Sequence, residues 1–447
     1  MNQNGQTVAL KELICSRIFS SIVSPSFGSL LYSLCFVPVC FLPAVALFGK
    51  RIYIKVQRGD LDMADATSPQ TLTRPSPRLV SLDVVRGLTV AFMILVNNNG
   101  SERLAYWPLK HADWNGWTPT DLVFPTFLLL VGIAIVFSTA SRMARGETTN
   151  VLLLHTIRRA AILFCLGILI HGFPHYPLVT LRIYGVLQRI AVCYLVASVL
   201  YLWDRRVVTL VSVSAACLLG YWILMRWVPV PGFGMPGRDI PFLDKDLNWV
   251  SVVDRRLFPG RLLEDTRDPL GLISTIPAVA TCLLGVLTGL WLRTQKGMTA
   301  KVSGLLAGAA AGLALGGFWG IWFPINKRLW TSSYVLFAAG WTLLVLATCY
   351  FVVEIRKHGG GWTYPWKVFG SNAIFTYAFA ELLSTVLEVI PIGPNGQAVT
   401  LKDWVYARIF SPIVSPAFGS LLYSLCYVLV CFLPAVLLFR KRIFLKI

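Results

Sequence analysis

Long, unbroken runs of apolar residues are the dominant pattern of this chain. Lipid offers no partner to backbone N–H and C=O groups, so spanning segments must be helices or a closed barrel, and continuous rather than alternating hydrophobicity favours helices. The pattern predicts an all-α polytopic membrane protein, a bundle of about ten core transmembrane helices. The predicted spans are 81–97, 120–139, 158–172, 183–203, 207–226, 270–292, 303–323, 331–353, 369–390 and 413–439.

An internal repeat links the two ends of the chain. Residues 4–56 match residues 395–447 at a fixed offset, with 37 of 53 positions identical. Residues 1–56 therefore read as a duplicated copy of the C-terminal helix, which predicts one extra N-terminal helix at about 18–48. Two interpretations stay open: a helix that packs on the bundle, or a remnant of tandem duplication or of a misplaced start codon.

The segment after this copy separates it from the main bundle. Residues 57–78 are polar and rich in Pro, Ser and Thr, which predicts a linker. The main bundle then occupies 79–447, with a long polar loop at about 227–269.

Composition and charge placement exclude several classes of protein. A soluble protein could not bury a chain that is 56% hydrophobic in one core. The net charge of +19 could suggest nucleic acid, but Lys and Arg cluster at the ends of apolar runs, as in cytoplasmic loops. We expect no nucleic-acid partner and a lipid bilayer as the surrounding medium. The linker and both termini of the main bundle are predicted to be cytoplasmic, and the 227–269 loop extracytoplasmic. The predicted cytoplasmic connections are 140–158, 204–206, 293–302, 354–368 and 440–447.

The first span and its exit loop carry the richest candidate chemistry. His111 lies between two spans among aromatic residues, and imidazole suits proton transfer or nucleophilic attack near neutral pH. A purely structural role at the membrane interface is the alternative. Asp121 follows Thr118-Pro119, so it is either a helix-capping residue or a partner for a nearby group. Asp83 and Arg86 lie three residues apart on one helical face and are expected to pair.

Other polar residues interrupt the apolar runs. Gln188 and Arg189 lie in the fourth span, where an arginine must face a cavity or a partner. Asn326, Lys327 and Arg328 form a polar turn. None of these spacings matches a metal site or a phosphate-binding loop, so we predict no metal.

Several ordered segments carry a family resemblance. From about residue 78 to 447 the chain resembles the heparan-α-glucosaminide N-acetyltransferase family of membrane acyltransferases, as a bacterial-type member. The segments are RLVSLDVVRGLTVAFMILVNN (78–98), KHADWNGWTPTDLVFPTFLLLVG (110–132), GVLQRIAVCYL (185–195), DPLGLISTIPAVATCLLGVLTG (268–289), NKRLWTSSYVL (326–336) and GSNAIFTYAF (370–379).

The resemblance implies a reaction. Family members transfer acetyl from cytosolic acetyl-CoA to an amino sugar on the opposite side of the membrane. An amino-sugar or glycan acceptor, the bacterial inner membrane and a homodimer are therefore the expected setting.

The resemblance also implies site residues. The family's active His corresponds to His111 in its KHxxWNG segment, and its active Asn to Asn97, with Asn98 and Asn99 as alternatives. Asp121 is expected to orient the imidazole. Four arginines are expected to contact the phosphates of acetyl-CoA: Arg158, Arg159, Arg205 and Arg206. Arg189 is a further residue expected to bind acetyl-CoA.

Two further hypotheses remain beside the enzyme. A multi-spanning transporter of small solutes also fits ten-odd helices with a few intramembrane charges, although no inverted repeat is visible. A non-catalytic membrane scaffold is the third. The residues leave open whether acetyl passes through a covalent acetyl-His or directly to the acceptor.

Overall fold

A computed structural model describes residues 79–177, 179–392 and 399–445 of the chain. Within these ranges nine helices are long and apolar enough to cross a membrane, and strand is confined to a two-stranded pairing of Pro391–Ile392 with Val399–Thr400. The chain is therefore an integral membrane protein of the all-α polytopic class, as the hydrophobic pattern predicted. The duplicated copy at 1–56 and the linker at 57–78 lie outside the described residues.

The described chain divides into two units. The larger contains 79–96, 107–177 and 179–373, and the smaller contains 97–106, 374–392 and 399–445. The helices of the larger unit are α1 (Val80–Asn97, whose last residue belongs to the smaller unit), α2 (Val123–Met143), α3 (Thr149–Gly172), α4 (Val186–Trp203), α5 (Val207–Trp227), α6 (Trp249–Leu257), α7 (Thr275–Leu292), α8 (Met298–Trp319), α9 (Ser332–Tyr350) and α10 (Tyr364–Ser371). Those of the smaller unit are α11 (Ala373–Val389, whose first residue belongs to the larger unit), α12 (Leu401–Val405) and α13 (Pro416–Arg440), and its strands are β1 (Pro391–Ile392) and β2 (Val399–Thr400).

Three differences from the predicted elements stand out. Helix α3 begins at Thr149, nine residues before the predicted start at 158, because the apolar residues 151–154, which precede Arg158 and Arg159, belong to the same helix. The predicted span 369–390 is two helices that meet at Asn372, whose φ of −125° and ψ of 41° are not helical. The loop at 227–269 contains α6, a short amphipathic helix that composition did not indicate.

The predicted ion pair at the start of α1 is present. Arg86 Nη1 lies 3.1 Å from Asp83 Oδ1. The backbone N–H of Ser81 donates to the Glu354 carboxylate at 2.9 Å, so the first turn of α1 is also tied to the end of the α9 segment.

Glycine allows the central helices of the larger unit to touch along their backbones. A Cβ on Gly132 of α2 would lie 2.0 Å from the Cys282 carbonyl oxygen of α7, and one on Gly285 of α7 would lie 2.0 Å from the Leu129 carbonyl oxygen. Gly312 of α8 and Gly340 of α9 approach each other in the same way. Small residues at such crossings are the usual basis of helix association in lipid, where no hydrophobic effect drives it.

Each long helix of the larger unit is a candidate membrane span, and each span would cross the membrane once. The connections of this unit therefore alternate between two sides. On one side they are short and basic: 144–148, 204–206, 293–297 and 356–363. On the other side they are longer, and one of them contains α6. His111 and Lys327 both lie in connections on this second side.

The glycine contact between α2 and α7 predicts a stability effect. Gly285→Ala should lower the thermal unfolding midpoint in detergent, by the equivalent of about 1–3 kcal/mol, because the added methyl group overlaps the Leu129 carbonyl. Gly317→Ala in α8 is the matched control, since a Cβ there meets nothing within 4 Å. An equal or higher midpoint for Gly285→Ala would contradict the close backbone contact.

Candidate active site

His111 and Asp121 meet at the entrance to α2. His111 lies in the loop after the short 3₁₀ turn Trp107–Leu109, and Asp121 lies in the 3₁₀ turn Pro119–Leu122 that leads into the helix. His111 Nδ1 is 2.7 Å from Asp121 Oδ1. The histidine side chain is 31% exposed and the carboxylate only 1%, so a buried carboxylate holds a partly accessible ring.

The Asp121 carboxylate both caps the turn and contacts the imidazole. Its Oδ2 accepts the backbone N–H groups of Thr118 and Ala112, each at 3.0 Å. The Asp121 carbonyl in turn accepts the Tyr334 hydroxyl at 2.5 Å. The two interpretations of Asp121 are therefore compatible: one oxygen serves the cap and the other faces His111.

This arrangement sets the tautomer and charge of the histidine. A carboxylate oxygen can only accept, so Nδ1 carries the proton, and in the neutral ring Nε2 keeps its lone pair. Burial lowers the pKa of His111 and the Lys327 charge lowers it further, while the hydrogen bond to Asp121 only partly opposes this. The ring is thus neutral at neutral pH, with Nε2 able to act as a base or a nucleophile.

Lys327 is a third member of this cluster. Its Nζ lies 3.0 Å from His111 Nδ1, 3.2 Å from Nε2 and 3.8 Å from Asp121 Oδ1. The side chain is 22% exposed. Burial lowers the pKa of Lys327 to about 8, although the Asp121 charge acts in the opposite direction.

The turn that carries Lys327 is joined to the His111 loop by further contacts. The Asn326 side-chain amide donates to Asn115 Oδ1 at 3.2 Å, and the Gly116 N–H donates to the Ile325 carbonyl at 2.7 Å. Asn326 is fully buried. These contacts hold the 111–121 loop and the turn between α8 and α9 in a fixed position relative to each other.

From the sequence alone, Lys327 and Asn326 are only members of a polar turn. The signal was present, since NKR stands in a short connection on the same predicted side as His111 and opens one of the segments that carry the resemblance. The local sequence does not indicate which distant loop Lys327 contacts, so no partner could be assigned to it.

Asn97 is the exposed last residue of α1. It belongs to the smaller unit, where the neighbouring Asn99 side chain accepts the Ser424 hydroxyl at 3.3 Å. Asn97 is thus the exposed member of the asparagine trio. Its predicted partnership with His111 joins residues of different units and stays a prediction.

Two of the predicted phosphate-binding arginines lie over one face of α4. The Arg159 guanidinium is 4.7 Å from the centre of the Tyr194 ring, and that of Arg205 is 5.7 Å from the Tyr201 ring. These tyrosines are seven residues apart and therefore on the same helical face. Arg159 Nε is buried without a hydrogen-bond partner among the described residues, whereas the Arg206 side chain is 85% exposed. Arg158 is half-buried on α3.

Arg189 does not join that group. It lies near the start of α4, about 24 Å along the helix from Arg205 at a rise of about 1.5 Å per residue. Its guanidinium is buried, donates to the Gly271 carbonyl at 3.0 Å and stacks over Trp330. Arg189 and Arg205 therefore lie near opposite ends of α4, and the expected contact of Arg189 with acetyl-CoA stays a prediction.

Metal chemistry has no obvious site in the described part of the chain. Across residues 79–177, 179–392 and 399–445, no group of three or more His, Cys, Asp or Glu side chains could hold a metal ion. The chemistry this cluster offers is that of a neutral imidazole with a carboxylate on one side and an ammonium group beside it.

Comparison with known proteins identifies the family. The family model "Heparan-alpha-glucosaminide N-acetyltransferase, catalytic" matches residues 78–321, more than half of the chain. The heparan-alpha-glucosaminide N-acetyltransferase of Homo sapiens is 31% identical over 366 residues, covering 68% of this chain and 53% of the human protein. That of Mus musculus is 30% identical over 391 residues, covering 74% and 58%. The chain thus spans little more than half the length of these relatives. By the family match, which includes the His111, Asp121 and α4 segments, this chain belongs to the heparan-α-glucosaminide N-acetyltransferase family.

Proposed function

We propose that this protein is a transmembrane acetyltransferase that moves acetyl from cytosolic acetyl-CoA to an extracytoplasmic acceptor, with His111 as its reacting group. The observation that carries the proposal is the 2.7 Å contact between His111 Nδ1 and the buried Asp121 carboxylate, which in the neutral ring places the proton on Nδ1 and the lone pair on Nε2. The names of the family and of the relatives support the reaction class.

In a covalent route, His111 attacks the thioester. The Nε2 lone pair forms a bond to the carbonyl carbon, the C–S bond breaks with its electrons on sulfur, and the thiolate takes a proton from solvent. An acceptor amine then displaces the acetyl group, loses a proton, and leaves His111 neutral again. The Asp121 carboxylate stabilises the positive charge that the ring carries in between.

In a direct route, His111 is a general base. Nε2 removes the proton of the acceptor amine as this attacks the thioester, and the proton passes to the departing thiolate. Both routes require the same neutral ring held by Asp121. An amide N–H from Asn97 would stabilise the oxygen of the thioester carbonyl as charge develops there in either route.

The donor is expected at the basic side of the bundle. Acetyl-CoA carries a polyanionic nucleotide, which suits the short basic connections, and a long thin arm that suits passage between helices. Arg158, Arg159, Arg205 and Arg206 are the proposed phosphate contacts. Arg159 fits a ligand role best, because its buried Nε has no hydrogen-bond partner among the described residues.

The acceptor is expected on the side of the longer connections. The relatives' name specifies a glucosaminide, so an amino sugar or a glycan that carries one is the proposed class. We propose the bacterial inner membrane as the location, with both termini of the main bundle cytoplasmic. A homodimer is proposed on the family resemblance alone.

Labelled acetyl-CoA tests the function directly. Full-length protein in proteoliposomes, given acetyl-labelled acetyl-CoA and a glucosamine-terminated oligosaccharide, should yield labelled oligosaccharide. His111→Ala should reduce transfer by about 10²-fold or more, because base or nucleophile is lost. Label on the His111 peptide would indicate the covalent route. His358→Ala, an exposed histidine on the basic side, is the matched control and should transfer at the normal rate. Undiminished transfer by folded His111→Ala would rule out the role of His111.

Asp121→Asn tests the orientation and tautomer of the His111 ring while leaving the ring itself in place. The amide can donate to Nδ1, which favours the tautomer with its proton on Nε2, so acetyl transfer should fall by about 10²-fold. Because a neutral amide oxygen accepts more weakly than a carboxylate from the Thr118 and Ala112 N–H groups, the unfolding free energy should fall by about 1 kcal/mol. Measuring transfer and the thermal midpoint together separates the two effects. A normal transfer rate would contradict the proposed orientation of His111 by Asp121.

A further inference from the structure

We propose that Lys327 is a positioning residue for His111: its ammonium group, packed against the imidazole and beside Asp121, keeps the ring neutral and Nε2 unprotonated. This inference rests on the proposed role of His111.

The distances indicate that Lys327 acts through its charge. Its Nζ is nearly equidistant from the two ring nitrogens, at 3.0 and 3.2 Å. The in-plane directions of the two nitrogens diverge, so a group this close to both cannot lie along either. Nδ1 already donates its proton to Asp121 and cannot also accept from the ammonium. The contact is therefore mainly electrostatic.

The other charges around the imidazole leave Lys327 as the main charged group that opposes protonation of His111. Three charged groups act on His111: Asp121, Lys327 and Arg328. Arg328 is engaged in an ion pair with Glu264 and is therefore partly neutralised. Asp121 already has Lys327 at 3.8 Å. Protonation of His111 would place a second cation next to this single carboxylate in a site that water reaches only partly.

Repulsion between the Lys327 ammonium group and a positively charged imidazole also affects the proposed reaction. Whether Nε2 takes up an acetyl group or a proton, the ring becomes positive in the first step. Lys327 at about 3 Å opposes that charge, which favours rapid passage of the group to the acceptor or to the leaving thiolate. The lysine holds its own charge below its pKa of about 8 and loses it above, so its effect is present at neutral and acidic pH.

The test measures the protonation of His111 directly. Diethyl pyrocarbonate modifies neutral imidazole, and mass spectrometry of the His111 peptide gives the extent of modification at each pH. In the wild-type protein the midpoint should lie below 6.5, the ordinary value for histidine. In Lys327→Met it should rise by about one pH unit, a tenfold change in proton affinity. Lys327→Arg keeps the charge and should keep the midpoint low, and Lys357→Met on the basic side is the matched control.

Two results would overturn the proposal. One is an unchanged midpoint in Lys327→Met with a normal thermal unfolding midpoint, and the other is an equal upward shift in Lys327→Arg. Lys327→Gln serves in place of Met if the apolar variant does not fold. The acidic limb of the pH profile of the acetyl-transfer rate should shift to higher pH together with the modification midpoint. Modification by diethyl pyrocarbonate requires no acetyl transfer. Absence of labelled oligosaccharide would therefore count against the proposed function, whereas the modification midpoints test the role of Lys327 separately.

Discussion

The Asp121 carboxylate is the group on which the site depends. It is almost completely buried, and an unpaired charge there would be strongly unfavourable. Two backbone N–H groups, His111 and Lys327 surround it, so one side chain satisfies the helix entrance, fixes the imidazole and anchors a lysine from a distant turn. Cap and candidate site are therefore inseparable, and a change at Asp121 affects both stability and chemistry.

Rigid support comes from the turn between α8 and α9. Buried Asn326 binds Asn115, and Tyr334 donates to the Asp121 carbonyl, so the His111 loop is held from two directions. The close glycine contacts of α2 with α7 and of α8 with α9 leave these helices little freedom to slide. Preorganisation of this kind is what acyl transfer requires, because the imidazole must meet a developing charge without rearranging.

The distribution of charge in the larger unit fits a reaction that begins on one side of a membrane and ends on the other. The basic connections suit the phosphates of the donor, and the imidazole cluster lies in the connections of the opposite side. Arg159, whose Nε is buried, lies part of the way along α3 and is a polar group between these two regions. The proposed thioester path would therefore run along the Tyr194 face of α4.

The amino-acid sequence alone indicates the helices, their approximate ends, the alternation of basic and longer connections, and His111 as the candidate centre. These follow from local properties: the length of apolar runs, the position of Lys and Arg, and a motif within a few residues. Contacts between distant elements, visible only in the folded protein, show that Lys327 meets a histidine 216 residues away, that Asp121 both caps a turn and contacts the imidazole, and that the Arg189 guanidinium lies against Gly271 and Trp330. Helix packing brings distant loops together, and periodicity along the chain contains no information about which of them meet.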